Sequence, residues 1–320
     1  GYLSQYLHAK YGYFVLGIEA DESKIRSAKT RQLKWFPETL EHVQYVHHRV
    51  TSKSSIEIYK HLNNTQWDLS KGVSLIGLHT CGDLISSIIE VFILNSYLKN
   101  LVVMPCCYHK MQFIDVNGAE IFQNFPSSQK LLKEWKNAKC ARFLKRPFLR
   151  LACQQRPDAW KSFDEHELEA RAFRLLTRSI LELYVKKENL LLVKNKRKTA
   201  KANTCDNSFE TFLTEIDSGY TIKHGSELED TPKDDFQKHA ALLTELWKSK
   251  CDESSNLKLL IGALLVLQAC LQPVCENLLL LDKVERLKES EVVQSAKFIK
   301  IANEALSARC FCLISSKHNL

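Results

Sequence analysis

Two short stretches gather residue types that can take up protons, line a ligand pocket or hold a soft metal: "HTCGD", His79 to Asp83, and "CCYH", Cys106 to His109. The first follows the apolar run "VSLIGL" and precedes a helical pattern starting at Leu84. One reading makes this turn the lining of a cofactor or substrate pocket. A plainer one has Asp83 capping the helix, Gly82 making the turn and Cys81 packing, and the two are compatible. His79, Cys81, Cys106, Cys107 and His109 also invite a zinc reading, since zinc takes four nitrogen or sulfur ligands in a tetrahedron. The spacings H-x-C and C-C-x-H are not those of a usual zinc knuckle, and adjacent cysteines in an extended strand point to opposite faces. The expectation is therefore no metal, with the cysteines acting as small buried hydrophobes.

What positions these residues is an alternation of strand and helix over residues 1–111. Leu3, Tyr6 and Leu7 lie at helical spacing, and that helix should end near Gly12. "YFVLGIEA" reads as a strand ending on Glu19, and Asp21 can cap a helix that stops before Pro37. "VQYVHHRVT" (strand), "SSIEIYKHLNN" (helix), "GVSLIGL" (buried strand), "DLISSIIEVFILNSYLKN" (helix) and "LVVMPCC" (buried strand) follow. Such alternation with short connections predicts an α/β fold with a parallel sheet covered on both faces. Ligands bind beyond the carboxyl ends of such strands, so Gly1, Glu19, the residues from His79 to Asp83 and those from Cys106 to His109 should share one rim. A glycine turn lets a cofactor approach the backbone, and a carboxylate ending a strand can accept hydrogen bonds from both ribose hydroxyls. Glu19 has that place, and so does an ordinary cap of the next helix.

The pattern changes after residue 111. Residues 112–238 read as a mainly helical insertion, with "EHELEARAFRLLTRSILELYVKK" started by Ser162 and Glu165 at capping-box spacing. Residues 239–320 complete the core with helices and a strand hairpin, "AKFIKI" and "CFCLIS", added at the sheet edge. The apolar run Leu259 to Cys270 is too short for a bilayer and reads as a buried helix, so no membrane partner is expected.

With 45% apolar and 26% charged residues the composition is globular. The 11 cysteines are spread along the chain behind no recognisable leader, which suggests reduced thiols and a cytoplasmic or nuclear setting. Of the net charge of +8, much falls between Ser127 and Arg156, where nine basic residues oppose one acid, Glu134. Lys130, Lys133, Lys136 and Lys139 run three apart, with Arg142, Lys145 and Arg146 beyond them and Trp135, Phe143 and Phe148 interleaved. A positive surface of this kind binds phosphates and its aromatics can stack on unpaired bases, so RNA is the expected partner; the plain reading is a solvated helix face with its aromatics inside. "KNKRK", Lys194 to Lys198, resembles a nuclear signal.

"GYLSQYL", "GIEAD", "GLHTCGDL", "CCYH" and "LLLLDKVERLKE" followed by "SARC" together resemble the methyltransferase-like twenty-five family over nearly the whole chain. The His-Thr-Cys-Gly-Asp and Cys-Cys-Tyr-His boxes are the specific part. Related boxes, His-x-Cys-Gly and Cys-Cys-His-His, give a more distant likeness to a tRNA acceptor-stem 2'-O-methyltransferase. The resemblance implies a Rossmann-like class I methyltransferase using S-adenosylmethionine, with RNA or protein as acceptor. Gly1 would be the last glycine of an Asp-x-Gly-x-Gly-Lys-Gly turn whose remainder, with the first strand before it, is missing from this sequence; the resemblance then implies that the cradle for the cofactor's methionine end is lost and, with it, activity. The "SPRC" of the family stands here as Ser307, Ala308, Arg309 and Cys310. Gly1, Glu19, His79, Cys81, Gly82 and Cys106 would line the cofactor, His79 or His109 would take the acceptor's proton, and Asp83 would orient. The alternative is a non-catalytic module that binds nucleic acid or protein on a degenerate methyltransferase fold.

Overall fold

A computed structural model describes residues 1–116, 119–137, 144–194, 208–216, 219–224, 233–234, 236–251 and 256–318. The chain divides into two compact units, Gly1–Pro157 with Leu271–Leu320, and Asp158–Cys270.

In the first unit, helix α1 (Tyr2–Tyr11) stops at Gly12, whose φ of 70° is the left-handed conformation that glycine adopts without strain. Strand β1 (Val15–Glu19) follows, and α2 (Glu22–Trp35) starts on Asp21, whose side chain accepts from Ser23 N at 2.9 Å. The chain continues through β2 (Val43–His47), α3 (Ser55–Asn63), β3 (Val73–Cys81), α4 (Leu84–Leu94) and β4 (Leu98–Cys106). β1 pairs with β2 in parallel, and β3 pairs with β4 in parallel. The two pairs stand in separate sheets among the described residues, and β3 is an edge strand. Its alternating exposure shows this: Ile76 and Leu78 are 41% and 47% exposed, where a strand buried on both faces was expected. The apolar core of the unit gathers Ile58, Ile85, Ile89, Phe92, Leu98, Leu101 and Leu313, and Leu16 and Ile18 of β1 pack against it.

After β4 come a short hairpin, β5 (Phe113–Val116) and β6 (Ala119–Phe122), and the helices α5 (Gln129–Asn137) and α6 (Arg146–Ala152). The hairpin stands where a mainly helical segment was expected, because its four-residue strands carry no strong alternation.

The second unit holds α7 (Glu165–Lys187), β7 (Leu190–Lys194), α8 (Phe209–Ile216), β8 (Tyr220–His224), β9 (Lys233–Asp234) and α9 (Phe236–Lys250). Its three strands form an antiparallel sheet, and Leu181, Tyr184, Phe209, Ile222 and Leu243 form its core. The cap of α7 is Asp164, accepting from Glu167 N at 2.8 Å, in place of the expected Ser162. Aspartate in extended backbone one residue before the helix meets the orphan N–H groups directly.

Helix α10 (Leu257–Lys288) runs unbroken through Pro273. Its apolar start is not buried as expected: Leu259 is 76% and Val266 60% exposed. The stretch Leu259–Lys288 is long and apolar enough to cross a membrane by length and composition, with 17% of the critical window buried. A single helix of this length and composition carries no assignment by itself. From Leu271 onward α10 belongs to the first unit, where Gln272, Glu276, Leu279, Asp282, Lys283 and Leu287 are buried. The chain ends with the hairpin β10 (Val293–Lys300) and β11 (Phe311–Lys317), whose β11 joins β4 antiparallel to give the order β10-β11-β4-β3. The expected C-terminal hairpin at the sheet edge is thus present.

Candidate active site

β3 and β4 end side by side, with Cys81 and Cys106 opposite each other in the parallel register and their Sγ atoms 3.1 Å apart. The two cysteine-bearing boxes therefore share one rim. Between the Gly77/Val103 and Thr80/Pro105 pairs three steps of β3 oppose two of β4, a bulge that re-aims side chains where strands approach a site. His79 lies in it and is exposed. Thr80 is buried and its Oγ1 donates to Met104 O at 2.9 Å, which fixes the bulge to β4.

Gly82 has φ 57° and lies flat against the Lys110 carbonyl; a Cβ there would be 2.9 Å from both Lys110 C and O. Both the turn and the packing need glycine. Gly82→Ala should cost at least about 1–2 kcal/mol from the left-handed backbone alone, more once the Lys110 backbone is displaced. A thermal melt checks this, and an unchanged midpoint would mean that the turn is not held as described.

Asp83 opens α4 but makes no cap with its side chain. Its Oδ2 instead accepts from Gln112 N at 2.7 Å, linking the first box to the chain after the second, and its Oδ1 is buried without a hydrogen-bond partner. The plain capping role is therefore not what the side chain does, and no hydrogen bond ties it to a histidine among the described residues.

In the second box, Cys107 (φ 39°, ψ 46°) leaves the strand conformation and starts a short turn, Tyr108–Lys110. Cys107 is thereby turned back toward Cys81 and Cys106, and the three thiol sulfurs lie within 4.8 Å of one another. The premise that neighbouring cysteines must point apart holds only while the backbone stays extended. Burial, reinforced by Cys81 and Cys107, pushes the Cys106 thiol up. His109 is exposed, its Nδ1 is 3.4 Å from Cys153 Sγ, and partial burial followed by the charges of Lys110 and Arg150 lowers its pKa.

The turn is anchored by residues outside both boxes. Tyr108 OH donates to Glu276 Oε1 at 3.2 Å, while Arg156 Nη1 donates to Glu276 Oε2 at 2.7 Å and Arg309 Nη1 donates to Oε1. Gln272 Nε2 adds a fourth donor at 2.9 Å. Next along α10, Asp282 accepts from the N–H and hydroxyl groups of Ser127 and Ser128, and Lys283 donates to Asn124 O and Ser127 Oγ. Glu276 was not singled out in the sequence; Asp282 and Lys283 fall in "LLLLDKVERLKE", Arg309 in "SARC" and Arg156 in the basic excess, none of them with this role.

Glu19 ends β1, and its Oε1 accepts from Ala20 N (2.9 Å) and Asp21 N (3.2 Å); among the described residues Oε2 has no hydrogen bond. α1 runs back along β1, so Gly1 lies at the Glu19 end and within its electrostatic reach. Gly1 O accepts from Tyr45 OH at 3.1 Å, and a cavity of about 250 Å³ opens beside it between α1 and α2, lined by Gln5, Ala28 and Arg31. Among the described residues no hydrogen bond or ion pair joins Gly1 or Glu19 to the cysteine boxes.

Of the expected basic surface, Lys130 is paired with Glu285 at 2.9 Å and Arg146 stacks over Phe113 at 4.4 Å, while Lys133 and Lys145 are exposed. Trp135 and Phe148 pack against the buried Phe125 cluster rather than presenting free faces for bases. Lys139, Arg142 and Phe143, the side chain of Lys136, and most of "KNKRK" lie outside the described residues.

Residues 1–113 match the family model described as "Methyltransferase domain", and the strand–helix order of this part is consistent with a Rossmann-like α/β methyltransferase fold. The chain is homologous to "Probable methyltransferase-like protein 25" of Homo sapiens, with 24% identity over 249 residues, and to the Mus musculus protein of the same name, with 22% over 249 residues. Each match covers 76% of this chain but only 36% of the human and 37% of the mouse protein, so the chain spans well under half the length of these relatives. No solved structure matches it.

Proposed function

We propose that the domain transfers a methyl group from S-adenosylmethionine to an RNA acceptor. The observation that carries the reading is the meeting of the two boxes at the carboxyl ends of β3 and β4, with Cys81 opposite Cys106, the rim where open α/β sheets bind ligands. Two acceptor oxygens suit such a cofactor: Glu19 Oε2 for the ribose, and the buried, unpartnered Asp83 Oδ1 for a polar group of cofactor or substrate.

When bound, the cofactor supplies an electrophilic methyl on a sulfonium sulfur. This chain's own part is placement and proton uptake. The backbone of the His79–Asp83 turn would face the cofactor, with Gly82 holding the turn against the Lys110 carbonyl. The nucleophile must line up with the methyl carbon, and an oxygen or nitrogen acceptor gives up a proton as its new bond forms. His79, exposed in the bulge, and His109 are the side chains available to take that proton.

RNA is favoured over protein by the basic excess between Ser127 and Arg156, of which Lys133, Lys145 and Arg150 are exposed while Arg156 is buried against Glu276. Since Trp135 and Phe148 are packed inside, contact would be through phosphates, and binding should weaken steeply with salt.

Calorimetry with S-adenosylmethionine, followed by transfer of labelled methyl into total RNA and total protein, tests the reading. Label in protein alone overturns the acceptor; no binding by the domain in its full-length setting favours the non-catalytic module. Glu19→Ala should weaken cofactor binding by about 1.5–3 kcal/mol, the range for a hydrogen bond to a charged group. Unchanged affinity would remove Glu19 from the site.

A further inference from the structure

We propose that Cys81, Cys106 and Cys107 form a binding site for a soft divalent cation, with zinc as the natural occupant. Three observations converge. The three sulfurs, from two strand ends and the turn after them, lie within 4.8 Å of one another. Thiolate sulfurs on one tetrahedral zinc, each bonded at about 2.3 Å, stand roughly 3.7 Å apart, and the triad needs only small side-chain rotations to meet that spacing. The second observation is the backbone at Cys107. A non-glycine residue with φ 39° and ψ 46° is uncommon and costs of order 1–3 kcal/mol unless its surroundings compensate. Its effect here is to bring the third sulfur to the other two, which packing alone does not require of a cysteine. Third, Cys106 is buried and Cys81 and Cys107 are half-buried, so the site is sheltered from competing water. A disulfide would join only two of the three and leave the turn at Cys107 without a purpose.

The fourth position is left to a further side chain, such as Cys153, or to solvent, since the group of three sulfurs does not itself include Cys153. Cys153 caps the end of α6 beside His109 and within electrostatic reach of Cys107. The ion would clamp the end of β3 to the end of β4 and fix the two box turns relative to each other. The inference does not depend on methyl transfer, and its test reads the metal directly.

The reduced, metal-free chain should bind one equivalent of cobalt(II), used as a spectroscopic probe, with the sulfur-to-cobalt charge-transfer absorption of a multi-thiolate site. Zinc should displace it. Chain purified without chelator should contain about one zinc by mass spectrometry of the metal. Cys81→Ser and Cys106→Ser should abolish the band, and Cys270→Ser, altering an exposed cysteine of the second unit, should leave it intact. Because Cys106→Ser removes a buried group and can unfold the chain, the wild-type titration decides by itself. A folded, reduced wild-type chain without the band overturns the proposal, and so does a Cys81–Cys106 disulfide in protein freshly prepared without oxidant.

Discussion

Glu276→Ala is expected to destabilise the first unit by about 3–5 kcal/mol, the usual cost of leaving a buried charge without its partner. The side chain of Glu276 is 2% exposed, and it faces Arg156 at 8% and Arg309 at 15%. Removing it strands two guanidinium groups and the Tyr108 hydroxyl together. Arg309 would keep its bonds to Ala152 O and Gln154 O. Arg156 would keep Glu304 at 3.2 Å from its Nε, at an angle that makes no hydrogen bond. Neither remaining contact offsets a lost carboxylate in a buried site. Glu276→Gln retains the volume and one acceptor and should fall between the two. Urea unfolding measures the difference; a shift under about 1 kcal/mol for the alanine variant would mean that the cluster is not the anchor of the Tyr108 turn.

Asp282→Ala should cost a similar amount, about 3–5 kcal/mol, for the same reason. The Lys283 ammonium is 2% exposed beside an Asp282 side chain that is fully buried. Burial pushes the Asp282 carboxyl up, but the Lys283 charge and the Ser127 and Ser128 donors outweigh it and hold the group below the ordinary value of 3.8. Lys283 is lowered by its own burial, against the raising charges of Asp282, Asp83 and Glu90. The sign for Asp282 follows from its lowered folded-state value. Its contribution is full above the unfolded-state pKa and is lost as pH falls through the folded-state value, so the effect belongs to the acid range below about pH 4. Stability of the wild type should therefore drop more steeply there than that of Asp282→Asn. The double variant Asp282→Asn with Lys283→Met should recover much of the loss of Asp282→Ala, because no buried charge remains unpaired. Failure to recover would assign the role to the serine contacts alone.

The sequence carried the local signals well. Gly12 ends α1 and Asp21 caps α2 as their residue types require, because a cap or a left-handed turn is decided within three or four residues. Ser162 misled because Asp164 offers the same chemistry two residues later. The hairpin β5–β6 and the sheet β7-β8-β9 were missed since their short strands have little period-two alternation to show. The apolar start of α10 read as buried although much of it is exposed, because composition measures what a segment can bury and not what is there to cover it. The expected insertion at residues 112–238 stands beside an observed second unit of Asp158–Cys270; such a boundary is a matter of which segments touch.

By itself, then, the sequence determined the strand–helix alternation, the strand ends on which Glu19, Cys81 and Cys106 fall, and hence the rim that the boxes share. Only the tertiary structure decided that Cys107 turns its thiol toward the other two, that Asp83 reaches Gln112 instead of capping its helix, and that Tyr108 hangs on Glu276, 168 residues away. Periodicity and capping are written in neighbouring residues. The partner of a buried charge is chosen by whatever the folded chain brings within 3 Å, and no short stretch of sequence records that.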